Sequence, residues 1–368
     1  AYFHPARTAA RVEAVVALEE KQTRVFPQNP KPEQLEAVRG LIKRLLPGKD
    51  RMFALELLSS GDKDTFELDS KGGKVVIRGT DGIAVASGLN WYLKYYCNAH
   101  IGWHGDQLNL PDELPMVSKR ERRVSLTHFS YYENVCTFSY SQAWWTWERW
   151  ERELDWMALN GINLPLAITG QEYVLAKVFE RLGLTKEEMD EYFTGPAFLA
   201  WNRMGNIKQF AGPLPQSFIE GQFELQKKIL ARARSFGMRP VLPSFAGFVP
   251  EAVVRKNPNT EFGRAQPWSG FQDESCCMSM LSPSEPLFQE IGKMFMEEVI
   301  KAYGGQDHLY ACDTFNENRP SNNDLNYLKA SSQAVYNAMK AVDPKAVWVM
   351  QGWLFVNDWQ FWTPNKVD

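Results

Sequence analysis

The stretch RRVSLTHFSYYENVC, residues 122–136, decides how the rest of the chain is read. It starts as a β-type run and ends in a polar, aromatic turn without a single glycine. From it onward, strand-like and helix-like segments alternate. The helical pattern AWWTWERWERELDWMALN (143–160) puts Trp147, Trp150, Leu154, Met157 and Ala158 on one side, and GINLPLAIT (161–169) reads as the next strand, weakened by Pro165. The helix FELQKKILARARSFG (223–237), stopped by Gly237, precedes the strand MRPVLPSFAG (238–247). EPLFQEIGKMFMEEVIKAYG (285–304) is a helix before the strand HLYACDTF (308–315), and NYLKASSQAVYNAMKAV (326–342) a helix before AVWVMQGWLF (346–355).

Alternating apolar strands and helices imply a parallel sheet covered by helices, which a doubly wound sheet and a (β/α)8 barrel both satisfy. A dinucleotide-binding doubly wound sheet calls for a glycine-rich turn after its first strand, and YYENVC has none. A TIM-type (β/α)8 barrel is therefore expected over residues 124–368, with RRVSLTHFS as its first strand and its chemistry on the loops after the strands. About five β/α units can be counted where such a barrel needs eight, so the barrel is expected to be truncated at its C-terminal side.

Residues 1–123 read as a small α/β domain. EQLEAVRGLIKRLL (33–46) has helical spacing, and MFALELL, TFELD and KVVIRG read as strands with a hairpin signal in SKGGK. DGIAVASGLNWYLKYYC is a helix capped by Asp81, and the proline- and charge-rich LPDELPMVSKRERR marks the domain boundary.

A net charge of −3 gives no electrostatic case for nucleic acid or an anionic membrane, and no apolar run reaches spanning length. The first thirty residues hold no signal-peptide core. The five cysteines match no zinc spacing, the five histidines are scattered, and no metal or cofactor is expected. Aromatic residues make up 13% of the chain, and eight of the twenty residues in 131–150 are aromatic. That density fits either a large core or a cleft in which flat rings stack on pyranose faces.

The strand ends collect polar groups: Tyr131, Glu133, Asn134 and Cys136; Thr169, Gly170, Gln171 and Glu172; Phe245 to Gly247 and Glu251; Asp313, Asn316 and Glu317; Gln351 to Trp353. Glycoside cleavage needs two carboxyl groups, one of them a proton donor, and Glu317 is the candidate. Asn316 beside it suits the 2-substituent of a sugar. The competing reading makes Glu317 a turn residue before Pro320. Glu172 is a sugar ligand or a helix cap, Glu251 opens a helix, Asp313 orients its neighbours, and Cys276-Cys277 is a buried loop.

The segments YYENVCTFSYSQAWWTWERWERELDWMALNGINLPLA, GQE, FTGPAFLAWNRMGN, GPLPQSF, SFGMRPVLPSFAGFVPEAV, DTFNE and AVWVMQGWLF resemble glycoside hydrolase family 89, the α-N-acetylglucosaminidases. The likeness runs from about residue 80 to the end. It implies a retaining exo-glycosidase acting on terminal α-linked N-acetylglucosamine, with Glu317 as general acid/base. It places Asn134, Cys136, Tyr140, Trp201, Met204, Asn316 and Trp353 around the sugar, with Gln171 and Glu172 at the pocket floor. The family's nucleophile, a second Glu, would lie beyond Asp368, as would a C-terminal helical domain. The implied partner is a glycan, of heparan sulfate or mucin type, with no nucleic acid or membrane partner and a homo-oligomer among the expected states. The implied location is secreted, periplasmic or lysosomal. Two other readings stand beside this one: a carbohydrate-binding protein without hydrolysis, and a hexosaminidase or glucuronidase on the same domain plan.

Overall fold

The computed structural model describes residues 30–350 and 352–367. The part of the expected N-terminal domain before residue 30, and Gln351 among the strand-end residues, lie outside the described residues. The described residues form two compact units, one within residues 30–131, 151–164 and 231–238, the other within residues 132–150, 165–230 and 239–367.

In the first unit, helix α1 (Pro32–Leu45) starts on a proline, whose missing N–H is no loss in a first turn, and buries Val38, Leu41 and Ile42. Strands β1 (Phe53–Leu57), β2 (Thr65–Lys71) and β3 (Lys74–Gly79) follow. Lys71 and Lys74 close a two-residue hairpin over Gly72 and Gly73, whose φ values of +58° and +73° are the left-handed pair such a turn needs. The Asp81 carboxylate accepts from the Ala84 amide at 2.8 Å and starts α2 (Gly82–Tyr96). Strand β4 (Glu121–Val124) completes the sheet in the order β1–β3–β2–β4.

That last strand corrects the sequence reading. Residues 122–124 were expected to open the barrel, but they pair antiparallel with β2, and Arg122 reaches Glu67 at 2.7 Å. Two adjacent arginines suit an exposed sheet edge, where charge discourages further pairing, and do not suit a strand buried on both faces. Residues 125–130 form no strand, and the next strand is only Tyr131–Tyr132.

In the second unit the backbone steps sideways through short parallel ladders. The Leu166 amide donates to the Tyr132 carbonyl at 2.7 Å, and Leu166 pairs in parallel with Val241. Strand β5 (Leu242–Pro243) is parallel to β6 (Leu309–Ala311), which is parallel to β7 (Val347–Val349). Spatial neighbours are thus sequence neighbours, with a helix between each pair. Along the chain these helices are α3 (Trp147–Leu159), counted with the first unit from residue 151 on, α4 (Gln171–Arg181) and α5 (Gln216–Phe236), counted with the first unit from residue 231 on, then α6 (Pro286–Tyr303) and α7 (Leu325–Lys340). The ladders are shorter than the apolar runs, in part because Pro165, Pro240 and Pro243 bring no amide donor. Among the described residues the ladder does not close on itself.

The core beneath these strands includes Phe179, Leu242, Phe288, Phe295, Met296, Val299 and Tyr310. One feature has no counterpart in the sequence reading. Residues Phe248–Val249, Phe262–Arg264 and Ser279–Leu281 form an antiparallel sheet of their own. It carries the loop 265–278 that includes Trp268.

Candidate active site

The chain leaves β6 through Cys312 and Asp313 and then turns on two consecutive left-handed residues, Phe315 (φ +69°) and Asn316 (φ +48°). Left-handed backbone costs a non-glycine residue about 1–3 kcal/mol, less for Asn, so the surroundings must hold it. They do: the Phe315 carbonyl accepts from both the amide (2.7 Å) and the side-chain nitrogen (3.0 Å) of Asn318. The Phe315 ring is buried in a cluster with Leu328, Leu354 and Trp362.

This turn presents Glu317 half-buried, with both carboxylate oxygens engaged. Trp268 Nε1 donates to Oε2 at 2.5 Å, and Asn206 Nδ2 lies 3.4 Å from the same oxygen. Trp353 Nε1 donates to Oε1 at 2.9 Å. Asn316 is buried, gives its Nδ2 to Asn206 Oδ1 at 3.2 Å, and keeps its own Oδ1 without a partner.

Each of these groups comes from a separately anchored segment. Asn318 Oδ1 accepts from the Gln266 amide at 2.7 Å, which ties the Glu317 turn to the loop of Trp268. Asn202 Nδ2 donates to the carbonyls of Tyr192 (2.8 Å) and Ile207 (3.1 Å), fixing the bend that carries Met204 and Asn206. Gly205 within that bend has φ +78°, and a Cβ there would stand 2.2 Å from the Phe248 ring. Trp353 opens the helix Trp353–Asn357 directly after Gly352 (φ +73°).

The other expected site residues divide into two groups. Tyr140 is 73% exposed and meets Trp201 edge-on at 5.3 Å, and Trp201 lies 6.2 Å from Trp268, so the three rings continue the aromatic wall away from Glu317. Cys136 is half-buried, and burial first, then the negative charge of Glu317, pushes its thiol up. All five cysteines are free thiols. Met204 and Gln171 line a cavity of about 40 Å³ together with Val135, Arg203, Cys312 and Asp313. Burial, followed by the charge of Asp313, pushes the Cys312 thiol far up.

Asn134, Glu172 and Glu251 instead make local contacts. Asn134 Oδ1 accepts from the Thr137 amide and hydroxyl at 3.1 and 3.0 Å, at the start of the turn Thr137–Tyr140. Glu172 is buried in the first turn of α4, and its two oxygens accept from Arg203 Nε and Nη2 at 2.8 Å each. Glu251 does open a helix, Glu251–Lys256. Burial raises its carboxyl, but Lys208 at 2.9 Å, Ser279 and Arg264 outweigh that and leave it lowered. Cys276 and Cys277 are buried, as read. Sequence reasoning passed over Asn206, Trp268 and Asn318. A tryptophan in the turn-rich QPWSGF was a visible signal for Trp268, Asn206 stood at the end of FTGPAFLAWNRMGN without being singled out, and nothing local marked Asn318.

Among the described residues no group of three or more His, Cys, Asp or Glu could hold a metal ion. The arrangement offers one carboxyl held by neutral N–H donors, an open aromatic wall, and a buried amide oxygen as a free acceptor. Such a set can grip a polar ring compound by its face and exchange a proton with it.

Comparison with known proteins adds the lineage. The family profile described as alpha-N-acetylglucosaminidase (NAGLU) tim-barrel domain matches residues 130–368, and that described as its N-terminal domain matches residues 36–116. Human alpha-N-acetylglucosaminidase is 48% identical over 337 residues, covering 90% of this chain and 45% of the human protein. A family 89 glycoside hydrolase from Clostridium perfringens, solved with 2-acetamido-1,2-dideoxynojirimycin, superposes with a TM-score of 0.82 at 33% identity, covering 90% of this chain and 38% of that one. A Clostridium perfringens structure with its substrate GlcNAc-α-1,4-galactose superposes with the same TM-score of 0.82 at 32% identity, again over 90% of this chain and 38% of that one. The chain therefore spans less than half the length of these relatives. Fold and comparisons together define a glycoside-hydrolase-class chain with an N-terminal domain and a TIM-barrel domain. It belongs to the α-N-acetylglucosaminidase family, glycoside hydrolase family 89.

Proposed function

We propose that the protein containing this chain is a retaining exo-glycosidase that removes terminal α-linked N-acetylglucosamine from glycans, with Glu317 as general acid/base. The observation that carries this is the Glu317 carboxyl, engaged at both oxygens by Trp268 and Trp353 beside the aromatic wall. The free amide oxygen of Asn316 next to it is an acceptor for an N–H or O–H of the sugar. Trp353, Trp201, Tyr140, Cys136 and Met204 form the surrounding wall in this reading. Asn134 and Glu172 support that wall through the contacts they already make, and Gln171 lies on its cavity side.

A retaining mechanism needs a second carboxylate roughly 5–5.5 Å from the first. Glu172 and Glu251 are each held by a cation, Arg203 and Lys208. We assign the nucleophile to the part of the family's length that this chain does not span, along with about three of the eight β/α units. In this reading the junction between the two domains lies near residues 123–124, and the interval between the two profile matches, 117–129, supports it. The natural substrate in this reading is a glycan capped by α-N-acetylglucosamine, and the working location a secreted, periplasmic or lysosomal one. Among the described residues no helix is long and apolar enough to cross a membrane.

The test is hydrolysis of an aryl α-N-acetylglucosaminide by the 368-residue chain beside the full-length gene product. Activity in the longer protein alone is the expected outcome. Activity in both would give the nucleophile's role to a carboxylate within this chain, Glu172 or Glu251 first. Silence from both would favour a carbohydrate-binding protein.

A further inference from the structure

Asn206 is buried, with 3% of its surface exposed, and it closes the segment FTGPAFLAWNRMGN without having been singled out as a site residue. Its amide faces two ways at once. Oδ1 accepts from Asn316 Nδ2 at 3.2 Å, and Nδ2 approaches Glu317 Oε2 at 3.4 Å. The opposite orientation of the amide would set two NH2 groups against each other and an amide oxygen against a carboxylate. Only one orientation serves both neighbours, and it turns the Asn316 amide so that its oxygen stays free.

The backbone supports the same conclusion. Asn206 follows Gly205, which only a residue without Cβ can occupy against Phe248, and Arg203 in the preceding turn is clamped by Glu172. The bend is therefore rigid where Asn206 leaves it. Asn316, by contrast, sits in a left-handed turn and gains its side-chain orientation from its neighbours.

We propose that Asn206 is a positioning residue: through one amide it fixes the acceptor face of Asn316 toward the substrate and a donor against Glu317, so that sugar recognition and proton donation share one geometry. The inference rests on the role of Glu317 proposed above, and it adds a residue that acts without touching substrate. Asn206→Asp is the informative change, because a carboxylate keeps the acceptor for Asn316 and replaces the donor with a like charge beside Glu317. Like charge raises a carboxyl's titration. Cys136 is a titratable group that already senses Glu317 from the neighbouring segment.

The experiment uses the full-length protein with Asn206→Asp and Asn206→Ala. Two readouts are taken: the pH profile of kcat/KM on an aryl α-N-acetylglucosaminide, and the pH-dependent tryptophan emission that Glu317→Gln removes. Trp268 and Trp353 report the ionisation of Glu317 directly in the second readout, whether or not the protein hydrolyses anything. Asn206→Asp is expected to keep KM within about threefold while moving the alkaline limb and the emission midpoint upward. Asn206→Ala is expected to raise KM and lower kcat, each about tenfold. A folded Asn206→Asp variant with an unmoved emission midpoint overturns the inference. A shifted midpoint in a protein that hydrolyses nothing retains the positioning role and overturns the glycosidase reading. Equal losses of Tm and kcat in both variants, with the wild-type pH profile, reduce Asn206 to a packing residue and also overturn it.

Discussion

Trp268 Nε1 donates to Glu317 Oε2 at 2.5 Å, so an indole N–H holds the carboxyl from a loop far away in sequence. A hydrogen bond to the charged form of an acid favours that form, and removing it raises the titration of the acid. Trp268→Phe keeps a ring against Trp201 and Phe271 and deletes only the N–H. The expected result is a fall in kcat/KM of about tenfold, equivalent to about 1.5 kcal/mol for one charge-assisted hydrogen bond, with the alkaline limb of the pH profile displaced upward. Steady-state kinetics of the full-length variant across pH measures both. A fall in rate with an unmoved profile would mean that the ring, and not its N–H, matters.

Glu317→Gln should abolish cleavage of substrates with poor leaving groups, which need protonation, while nearly preserving sugar binding. The glutamine side chain fills the same space between Trp268 and Trp353 but cannot supply a proton. Comparing an activated aryl substrate with an unactivated disaccharide, and titrating N-acetylglucosamine by tryptophan emission, separates the two effects. Wild-type rates on the disaccharide would remove Glu317 from the mechanism.

What could be read in the sequence followed from periodicity. Helices α1, α2, α6 and α7 carry a regular apolar face and end on capping residues or glycines, so they stand within about two residues of where the pattern put them. The strands were harder, because prolines shorten the ladders and because Arg122 and Arg123 resemble the start of a barrel strand until Glu67 is seen across from Arg122. Glu317 could be nominated as a proton donor because a carboxyl at a strand end has a chemical meaning of its own. Asn206 and Trp268 could not be assigned the same way, since their meaning lies in what they meet, 111 and 49 residues along the chain.

The Glu172–Arg203 pair is buried, with both hydrogen bonds at 2.8 Å and side-chain exposures of 2% and 5%. Removing one partner strands a charge in the interior, at about 3–5 kcal/mol. Glu172→Gln should therefore destabilise by that order in urea unfolding. The double change Glu172→Leu with Arg203→Met should cost less than the single one, since no buried charge is left. A double variant as unstable as the single one would show that the pair's geometry, and not its charge balance, holds the bend.

Asp343 gives the second unit a pH dependence whose sign can be worked out. Its carboxylate accepts from the Tyr310 hydroxyl at 2.8 Å, from the Lys345 amide at 2.9 Å, and lies 2.8 Å from His308 Nδ1. Burial pushes the carboxyl up, but His308, Tyr310 and the Lys345 amide together outweigh it and leave it below the ordinary value. A carboxyl lowered in the folded state contributes stability that is fully present above its unfolded value, about pH 3.9, and is lost as pH falls through the folded one. The second unit should hence lose stability on the acid side of about pH 4 by more than its other carboxylates require. Asp343→Asn should lower stability at neutral pH and flatten that acid limb, because the side chain can no longer lose a proton on folding. Urea midpoints of both forms at several pH values between neutral and strongly acidic would measure the difference. Parallel curves would mean that Asp343 contributes the same free energy charged or protonated, and that the His308 and Tyr310 contacts do not discriminate between the two.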